Sequence, residues 1–222
     1  MNVLSAFYLT SPSLPIGAFA YSQGLESAIE HRMVFDRESL DQWCRDYLIH
    51  GLARLDVPLL RRLYRALGEG NLPLVEELNL KVLAMRETRE LYDEEINLGK
   101  SLRRIIQSQQ TRLDLSSLTW AVEHTRLGYL ARFALLGHGL TLKEDMVVAS
   151  LLWSWLDNQV MVACKSIPLG QTDAQAVLLD GRDTIQMIMD EPAIEEMPLS
   201  SLPGAALLSA LHEKQYSRLF RS

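Results

Sequence analysis

The residue types that most often carry chemistry are scattered along this chain. No histidine has a second histidine, a cysteine or a carboxylate at the spacings typical of a metal site; the five are His31, His50, His124, His138 and His212. The sequence contains no glycine-rich phosphate loop and no nucleophile elbow. Runs of acidic residues, such as Asp93-Glu94-Glu95, are typical of solvated helix faces. The inventory predicts no catalytic residues, no metal ligands and no cofactor, and it favours a binding module over an enzyme.

The bulk composition is that of an ordinary globular protein. The chain has 222 residues, 48% of them hydrophobic, and a net charge of −6. An acidic balance argues against nucleic-acid binding, which needs a basic face. Cys44 and Cys164 lie in helical patterns without C-x-x-C spacing, so we expect two small buried hydrophobes in a reducing compartment. The N-terminus has no basic segment of the kind found in secretory signals, so we expect a cytoplasmic protein.

One stretch must organise the fold. Residues 146–165 are apolar on almost every side of a helical wheel, which is typical of a helix inside a core. Asp157, Asn158 and Gln159 interrupt the stretch, and a central Asp alone costs about 2.5–3.5 kcal/mol on membrane insertion. A T-x-x-E capping box at 141–144 marks the start. The sequence therefore predicts a long buried helix over about 142–165 and no membrane span.

This central helix carries a narrow polar stripe. Its members recur at spacings of three, four and seven residues: Ser150, Ser154, Asp157, Asn158 and Lys165. The stripe has two interpretations. It is either the edge of the helix that meets water or a polar seam that faces a groove or a partner.

The remaining segments follow the helical period, and no strand pattern is present. The predicted helices span 21–31, 36–51, 56–68, 71–82, 86–109, 120–136, 172–189 and 205–220, with Asp36 and Thr172 as caps, a pause at Gly51 and a loop over 190–203. We therefore predict a single all-α domain over 1–222, a bundle of about eight to ten helices around the central helix.

The two ends of the chain are unusual. Pro12 and Pro15 forbid a helix over 11–19, so this stretch is predicted to be an ordered, packed loop. Residues 212–222 form an amphipathic pattern that places Tyr216, Leu219 and Phe220 on one side of a helix, with Lys214, Arg218 and Arg221 around them. This tail is either a flexible docking peptide or a terminal helix that rests on its own core.

These segments resemble the signatures of the UreF family of urease accessory proteins. The resemblance is carried, in family order, by Ser11-Pro12-x-Leu14-Pro15-Ile16-Gly17, Tyr21-Ser22-Gln23-Gly24-Leu25-Glu26, Arg86-Glu87-Thr88-Arg89-Glu90, Trp153-Ser154-Trp155-Leu156-x-Asn158-Gln159-Val160, Pro168-Leu169-Gly170-Gln171 and His212-Glu213-x-Gln215-Tyr216-Ser217-Arg218-Leu219-Phe220-Arg221-Ser222. The blocks span essentially the whole chain.

The resemblance implies an all-α, homodimeric, non-catalytic chaperone. It would bridge the GTPase UreG and the protein UreD (UreH) to apo-urease during nickel insertion. The resemblance also implies site residues. The tail, from His212 and Glu213 through Gln215 to Ser222, would bind UreD/UreH. The N-terminal signature (Ser11, Pro12, Leu14, Pro15, Ile16, Gly17, Tyr21, Ser22, Gln23, Gly24 and Glu26) would bind a partner or serve the structure. Ser154, Asp157, Asn158, Gln159 and Lys165 are the candidates to face UreG.

A second function stays open at this point. A GTPase-activating or fidelity-regulating protein would present an exposed arginine to UreG, and such a finger adds about 10³–10⁵ in rate. The candidates are helix-surface residues: Arg86, Arg89, Arg103 and Arg104. Solvated arginines paired along a helix are the commoner arrangement. A direct nickel chaperone is disfavoured by the scattered histidines.

Overall fold

The computed structural model describes residues 3–192 and 202–222. Within these ranges the secondary structure is entirely helical, which confirms the predicted all-α bundle. The described residues form eleven α-helices: α1 (Val3–Leu9), α2 (Leu25–Glu30), α3 (Arg37–Asp46), α4 (Asp56–Gly68), α5 (Leu72–Ala84), α6 (Arg89–Ser108), α7 (Thr119–Glu123), α8 (Tyr129–Gly139), α9 (Glu144–Ser166), α10 (Gln171–Asp190) and α11 (Pro203–His212).

Helix α9 is the predicted central helix, and it packs against α1, α2, α3, α4, α8 and α10. Most of its apolar residues are buried, and Val147, Leu152 and Leu156 are fully so. Among the described residues it is the one helix long and apolar enough to cross a membrane, and 61% of its apolar window is buried inside the fold. A core helix has the same composition, because it is surrounded by other helices instead of lipid.

The predicted capping box at the start of α9 is wrong. The helix begins at Glu144 and its N-cap is Lys143, without a side-chain cap. Thr141 has a φ of 54° and donates its N–H to the carbonyl of His138, so it terminates α8 instead. Glu144 is held by two arginines of α4, with Arg61 Nη1 at 2.6 Å and Arg65 Nε at 2.8 Å. These ion pairs fix the first turn that the capping box was expected to fix.

The helix predicted over 120–136 is two helices, α7 and α8, with a break over 124–128. Polar side chains from two other helices hold the break. The amide of Gly128 donates to Asn79 Oδ1 at 2.8 Å, and the amide of Leu130 donates to Glu95 Oε1 at 2.8 Å. The buried Arg132 donates to the carbonyls of Ala121, at 2.8 Å, and Val122, at 3.2 Å. Helical periodicity does not reveal a break that distant residues stabilise.

Two predicted helix starts are confirmed by their caps. Asp36 Oδ1 accepts the N–H of Ser39 at 2.9 Å, and Ser39 Oγ accepts the N–H of Asp36 at 3.1 Å. Asn71 caps α5, whose second residue is Pro73. The predicted pause at Gly51 is a π-helical turn over Tyr47–Leu52.

Other boundaries shift. Helix α2 begins at Leu25 and not at Tyr21, α6 begins at Arg89 with Thr88 as its cap, and Gly170 caps α10 in place of Thr172. Cys44 is buried as expected, but Cys164 is exposed.

The structure agrees with the predicted loop near the N-terminus but not with the whole of the helix predicted near the C-terminus. No α-helix lies between Leu9 and Leu25, and Leu14 is buried, as the packed loop requires. The helix predicted over 205–220 is wrong in its second half, because α11 ends at His212 and residues 213–222 form turns and irregular structure. Most of the loop predicted over 190–203 lies outside the described residues, and Pro203 is the first residue of α11.

Candidate functional site

A sharp turn in the N-terminal segment positions the site. Gln23 and Gly24 have φ angles of 53° and 88°, in the left-handed region. At Gly24 a side chain would also meet the carbonyl oxygen of Ala205 at 3.3 Å, because α11 passes close to the turn. Glycine satisfies both requirements. The turn leaves the backbone carbonyls of Tyr21 and Ser22 directed at α9.

Asn158 of the polar stripe and its neighbours on α9 bind this segment. Asn158 Nδ2 donates to the carbonyl of Tyr21 at 2.9 Å, and Gln159 Nε2 donates to that of Ser22 at 3.2 Å. Trp155 Nε1 donates to Gln23 Oε1 at 2.6 Å. This part of the stripe is therefore a polar seam, and its partner is the N-terminal segment of the same chain.

The other members of the stripe have different surroundings. Ser150 is buried, Ser154 and Asp157 are half-buried, and burial raises the pKa of Asp157. Lys165 is exposed, and its Nζ lies 6.0 Å from the ring centre of Phe19 and 5.9 Å from that of Phe220. At this end the stripe meets water, so each interpretation of the stripe holds for one part of it.

The C-terminal tail lies on the same N-terminal segment. The amide of Arg221 donates to the carbonyl of Ala20 at 2.7 Å, and the amide of Ser22 donates to the carbonyl of Ser222 at 2.7 Å. Phe220 is only 7% exposed. In this structure the tail is thus docked on the body of the protein and does not project from it.

Two carboxylates hold the tail, those of Glu26 on α2 and Glu90 on α6. Glu26 of α2 is buried, and its carboxylate accepts the amides of Leu219 at 2.7 Å and Phe220 at 3.0 Å. His212, which is fully buried, places Nε2 at 2.8 Å from Glu26 and Nδ1 at 2.7 Å from Glu90. Arg218 donates to the second oxygen of Glu90 at 2.8 Å. Every carboxylate oxygen of the pair is therefore bonded.

A second carboxylate of α6, that of Glu94, lies one turn further along the helix and also contacts the tail. Glu94 accepts hydrogen bonds from Gln23 Nε2 at 2.6 Å and from Ser222 Oγ at 3.0 Å. Burial raises the pKa of Glu94 to about 7, although both hydrogen bonds oppose the shift. We call residues 21–26, residues 155–159, Glu90 with Glu94, and residues 212–222 together the terminal clasp.

The terminal clasp joins the three predicted sets of site residues. Residues 21–26 of the N-terminal signature contact both the seam of α9 and the tail. The loop residues Ser11, Pro12 and Pro15 are outside it and at least partly exposed. Glu90 and Glu94 were missed as site residues, although their i, i+4 spacing places them on one face of α6. The prediction of a solvated acidic run is wrong for Glu94 and Glu95, which are both buried.

Two of the predicted arginine candidates, Arg86 and Arg89, lie in different surroundings. Arg86 is not on a helix surface: it precedes α6, its side chain is 16% exposed, and it pairs with Asp56 at 2.7 Å and Glu95 at 2.8 Å. Burial alone would lower the pKa of Arg86, but these two carboxylates raise it above its usual value. Arg89 is 85% exposed on the first turn of α6. We call Arg86, Asp56 and Glu95 the core cluster.

A cavity of about 170 Å³ lies between the N-terminal loop, α9 and the core cluster. Its walls are mostly apolar, with Phe19 and Phe133 among them, and Arg86 and Glu94 contribute polar groups. Within the described ranges no three His, Cys, Asp or Glu side chains are grouped so that they could hold a metal ion.

Sequence comparison identifies the family. The family model described as UreF matches residues 34–181. The chain belongs to the UreF family.

The similarity to individual UreF proteins extends over nearly the full length, beyond the segment that the family model matches. A protein of Chromohalobacter salexigens named urease accessory protein UreF is 45% identical over 216 residues, which cover 96% of this chain and 92% of the relative. Proteins of the same name from Teredinibacter turnerae and Marinobacter nauticus are each 39% identical and cover all of this chain, with 99% and 95% of the relative aligned. The resemblance seen in the sequence is therefore confirmed. UreF proteins are accessory proteins and not known enzymes.

Proposed function

We propose that this chain is a non-catalytic, cytoplasmic scaffold of urease maturation. As a homodimer it bridges the GTPase UreG and UreD/UreH to apo-urease while nickel is inserted. Membership of the UreF family supports the role in urease maturation, and the choice of partners rests on the resemblance described above. The observation that carries the proposal is the terminal clasp, which holds the tail in a defined position and leaves some of its side chains outside.

The exposed side chains of the clasp form a surface suited to a protein partner. Tyr216 is fully exposed and Leu219 is 70% exposed, while Arg221 is also exposed. An aromatic ring, an aliphatic side chain and a guanidinium on a short segment are the types enriched in binding hot spots and in contacts with carboxylates. We propose that this surface binds UreD/UreH. Lys165, beside Phe19, extends it towards the side proposed for UreG.

The structure leaves fewer arginines available for the GTPase-activating alternative. Arg86 is engaged in the core cluster, so its guanidinium is not free to enter a nucleotide site. Arg89 is 85% exposed, and it pairs with Asp93 at 3.6 Å. We therefore keep the scaffold as the proposed function, with Arg89→Ala in a UreG GTP-hydrolysis assay as the test of the alternative.

We also propose that the chain alone binds no nickel tightly. Nickel needs several convergent nitrogen, sulfur or oxygen ligands. Equilibrium dialysis of the purified protein should show no stoichiometric site of submicromolar affinity. A site of that affinity that is lost in a single histidine variant would contradict the scaffold proposal.

The decisive experiment is a pull-down of purified UreD and UreG with the intact chain and with Tyr216→Ala. Because the ring of Tyr216 is exposed, its removal should leave thermal unfolding unchanged. Loss of a hot spot should weaken UreD binding by roughly 2 kcal/mol, about thirtyfold in Kd. Leu80→Ala is the matched control, since Leu80 is 65% exposed on α5, outside the clasp. Equal UreD binding by wild type and Tyr216→Ala would contradict the proposed surface.

A further inference from the structure

The surroundings of His212 favour a ring that carries a proton on both nitrogens. Its ring is fully buried, and each ring nitrogen is within hydrogen-bond distance of a carboxylate oxygen, on Glu26 and on Glu90. A neutral imidazole carries one N–H, and an ionised carboxylate only accepts hydrogen bonds. A neutral ring would therefore place a lone pair against one of the two carboxylates. Both contacts are hydrogen bonds only when the cluster holds one additional proton.

The positive charge of neighbouring side chains does not replace this additional proton. Arg218 of the tail contacts the outer oxygen of Glu90 and stays charged at any accessible pH. Two other carboxylates lie near the cluster, those of Glu94, one turn along α6, and Glu213, which follows His212 in the chain. The remaining ionisable groups nearby are the buried Tyr21 and the exposed Arg89, Asp93 and Arg221. Apart from Arg218, the groups in direct contact with the imidazole and its partners are thus acidic, which favours the doubly protonated ring.

The same carboxylate that holds the ring holds the tail. Glu26 Oε2 contacts His212 Nε2 and accepts the amide of Phe220, while Oε1 accepts the amide of Leu219. If His212 loses its proton, one of the two carboxylates loses the N–H of the ring, and the ring no longer ties α2 to α6. The remaining contacts of the tail, among them the hydrogen bonds of its amides, must then oppose the entropy of a free chain end without this tie.

We propose that a proton shared in the Glu26–His212–Glu90 cluster latches the tail, so that the tail opens as pH rises. The latch belongs to the chain alone and does not depend on its partners. The docked state holds one proton that the open state releases, so the latch is strongest at low pH and weakens once that proton is lost. Beyond that point the open population should grow about tenfold per pH unit.

Glu94 acts in the same direction but is a separate group. Its raised pKa of about 7 means that the docked state also favours its proton, and its partner Ser222 belongs to the tail. A test must therefore distinguish the two. Glu90→Gln removes the demand for a proton at His212, because the amide can donate to one ring nitrogen while the other N–H donates to Glu26. The amide oxygen of the variant still accepts from Arg218.

The experiment is ¹⁵N NMR of the full chain from pH 5.5 to 9.5. Long-range imidazole correlations report how many nitrogens of His212 carry a hydrogen, and the backbone amides of Leu219 and Phe220 report docking. His212→Gln identifies the resonances of His212 among the five histidines. We expect a doubly protonated ring while the tail is docked, and loss of that proton together with the shift of both amides.

Two variants distinguish the His212 cluster from Glu94 as the cause of the pH-dependent opening. We expect Glu90→Gln to keep the tail docked with a singly protonated ring and no pH-dependent opening, and Glu94→Gln to retain the opening. A docked tail with a singly protonated His212 in the wild type would overturn the proposal without any variant. So would pH-dependent opening that persists in Glu90→Gln and disappears in Glu94→Gln.

Discussion

The core cluster and the terminal clasp both bury carboxylates, but they neutralise them differently. In the core cluster the cation is Arg86, whose guanidinium is permanently charged, and its partners Asp56 and Glu95 lie on α4 and α6. In the clasp the side chain between the carboxylates of Glu26 and Glu90 is an imidazole, and burial raises the pKa of Glu94 to about 7. The first arrangement is indifferent to pH around neutrality, whereas the second is not.

The two regions also differ in what they join. Glu95 binds Arg86 with one oxygen and the amide of Leu130 with the other, so the core cluster ties α4 and α6 to α8 inside the bundle. The clasp joins residues near the two ends of the chain, and its N-terminal residues bond to the seam on α9. A permanent charge suits a permanent junction, and a proton-dependent charge suits one that opens. The following predictions test this contrast.

Removal of Arg86 should have the largest effect. Arg86→Met leaves two buried carboxylates without their cation and should destabilise the fold by roughly 3–5 kcal/mol. Urea unfolding followed by circular dichroism measures the change. Arg89→Met is the control, because Arg89 is exposed, and it should shift stability by less than about 0.5 kcal/mol. An unchanged midpoint for Arg86→Met would show that the core cluster does not depend on this cation.

Loss of the buried ring of the tail should come second. Phe220 is 7% exposed, so Phe220→Ala should cost about 3 kcal/mol, near the lower end for buried aromatic residues. The loss should appear first as release of the tail and of residues 20–22, measured by hydrogen exchange at fixed pH. Tyr216→Ala removes a ring of similar size from the exposed side and should leave exchange unchanged.

Deletion of residues 212–222 removes the buried ring of Phe220 together with the other contacts of the tail. A free docking tail could be deleted with little effect on the fold. The docked tail supplies partners to Glu26 and Glu94, so we expect the deletion to lower stability as well as to abolish complex assembly. If the truncated chain unfolds at the same urea concentration as the full chain, the clasp makes no net contribution to stability.

The pH dependence of stability should be smaller but specific. The folded-state pKa of Glu94, about 7, lies above the ordinary value of 4.5. Its contribution is therefore fully present below about pH 4.5 and is lost as pH rises through 7, at a cost on the order of 3 kcal/mol. Glu94→Gln should reduce the difference in unfolding free energy between pH 5.5 and 8.5, and the part that remains is the contribution expected from the His212 cluster. A wild type that is more stable at pH 8.5 would contradict the sign.

Lys165 should have the smallest effect on the fold. It is exposed and contacts two rings at about 6 Å, a cation–π geometry worth about 0.5–1 kcal/mol at the surface. Lys165→Glu should therefore preserve folding and alter UreG engagement or urease activation. Lys143→Glu is the control, at an exposed lysine at the other end of α9. Full urease activation by Lys165→Glu would show that Lys165 is only solvated.

Much of the fold was determined by the sequence itself. The central helix, the caps at Asp36 and Asn71, the interruption at Gly51 and the packed loop over 11–19 all follow from residues within a few positions of each other. Helical hydrogen bonds join residues four apart, so periodicity and capping residues record them directly. The family resemblance was also visible in short blocks of sequence.

Only the tertiary structure decided which charges are buried and which segments meet. Glu26 and His212 are 186 residues apart in the chain, and no local pattern relates them. The tail follows a helical pattern, yet its amides bond to Glu26 and to the N-terminal segment, and these bonds replace the helix beyond His212. For the same reason Arg86 and Glu94 resemble surface charges in the sequence, because burial depends on which distant helices pack over them.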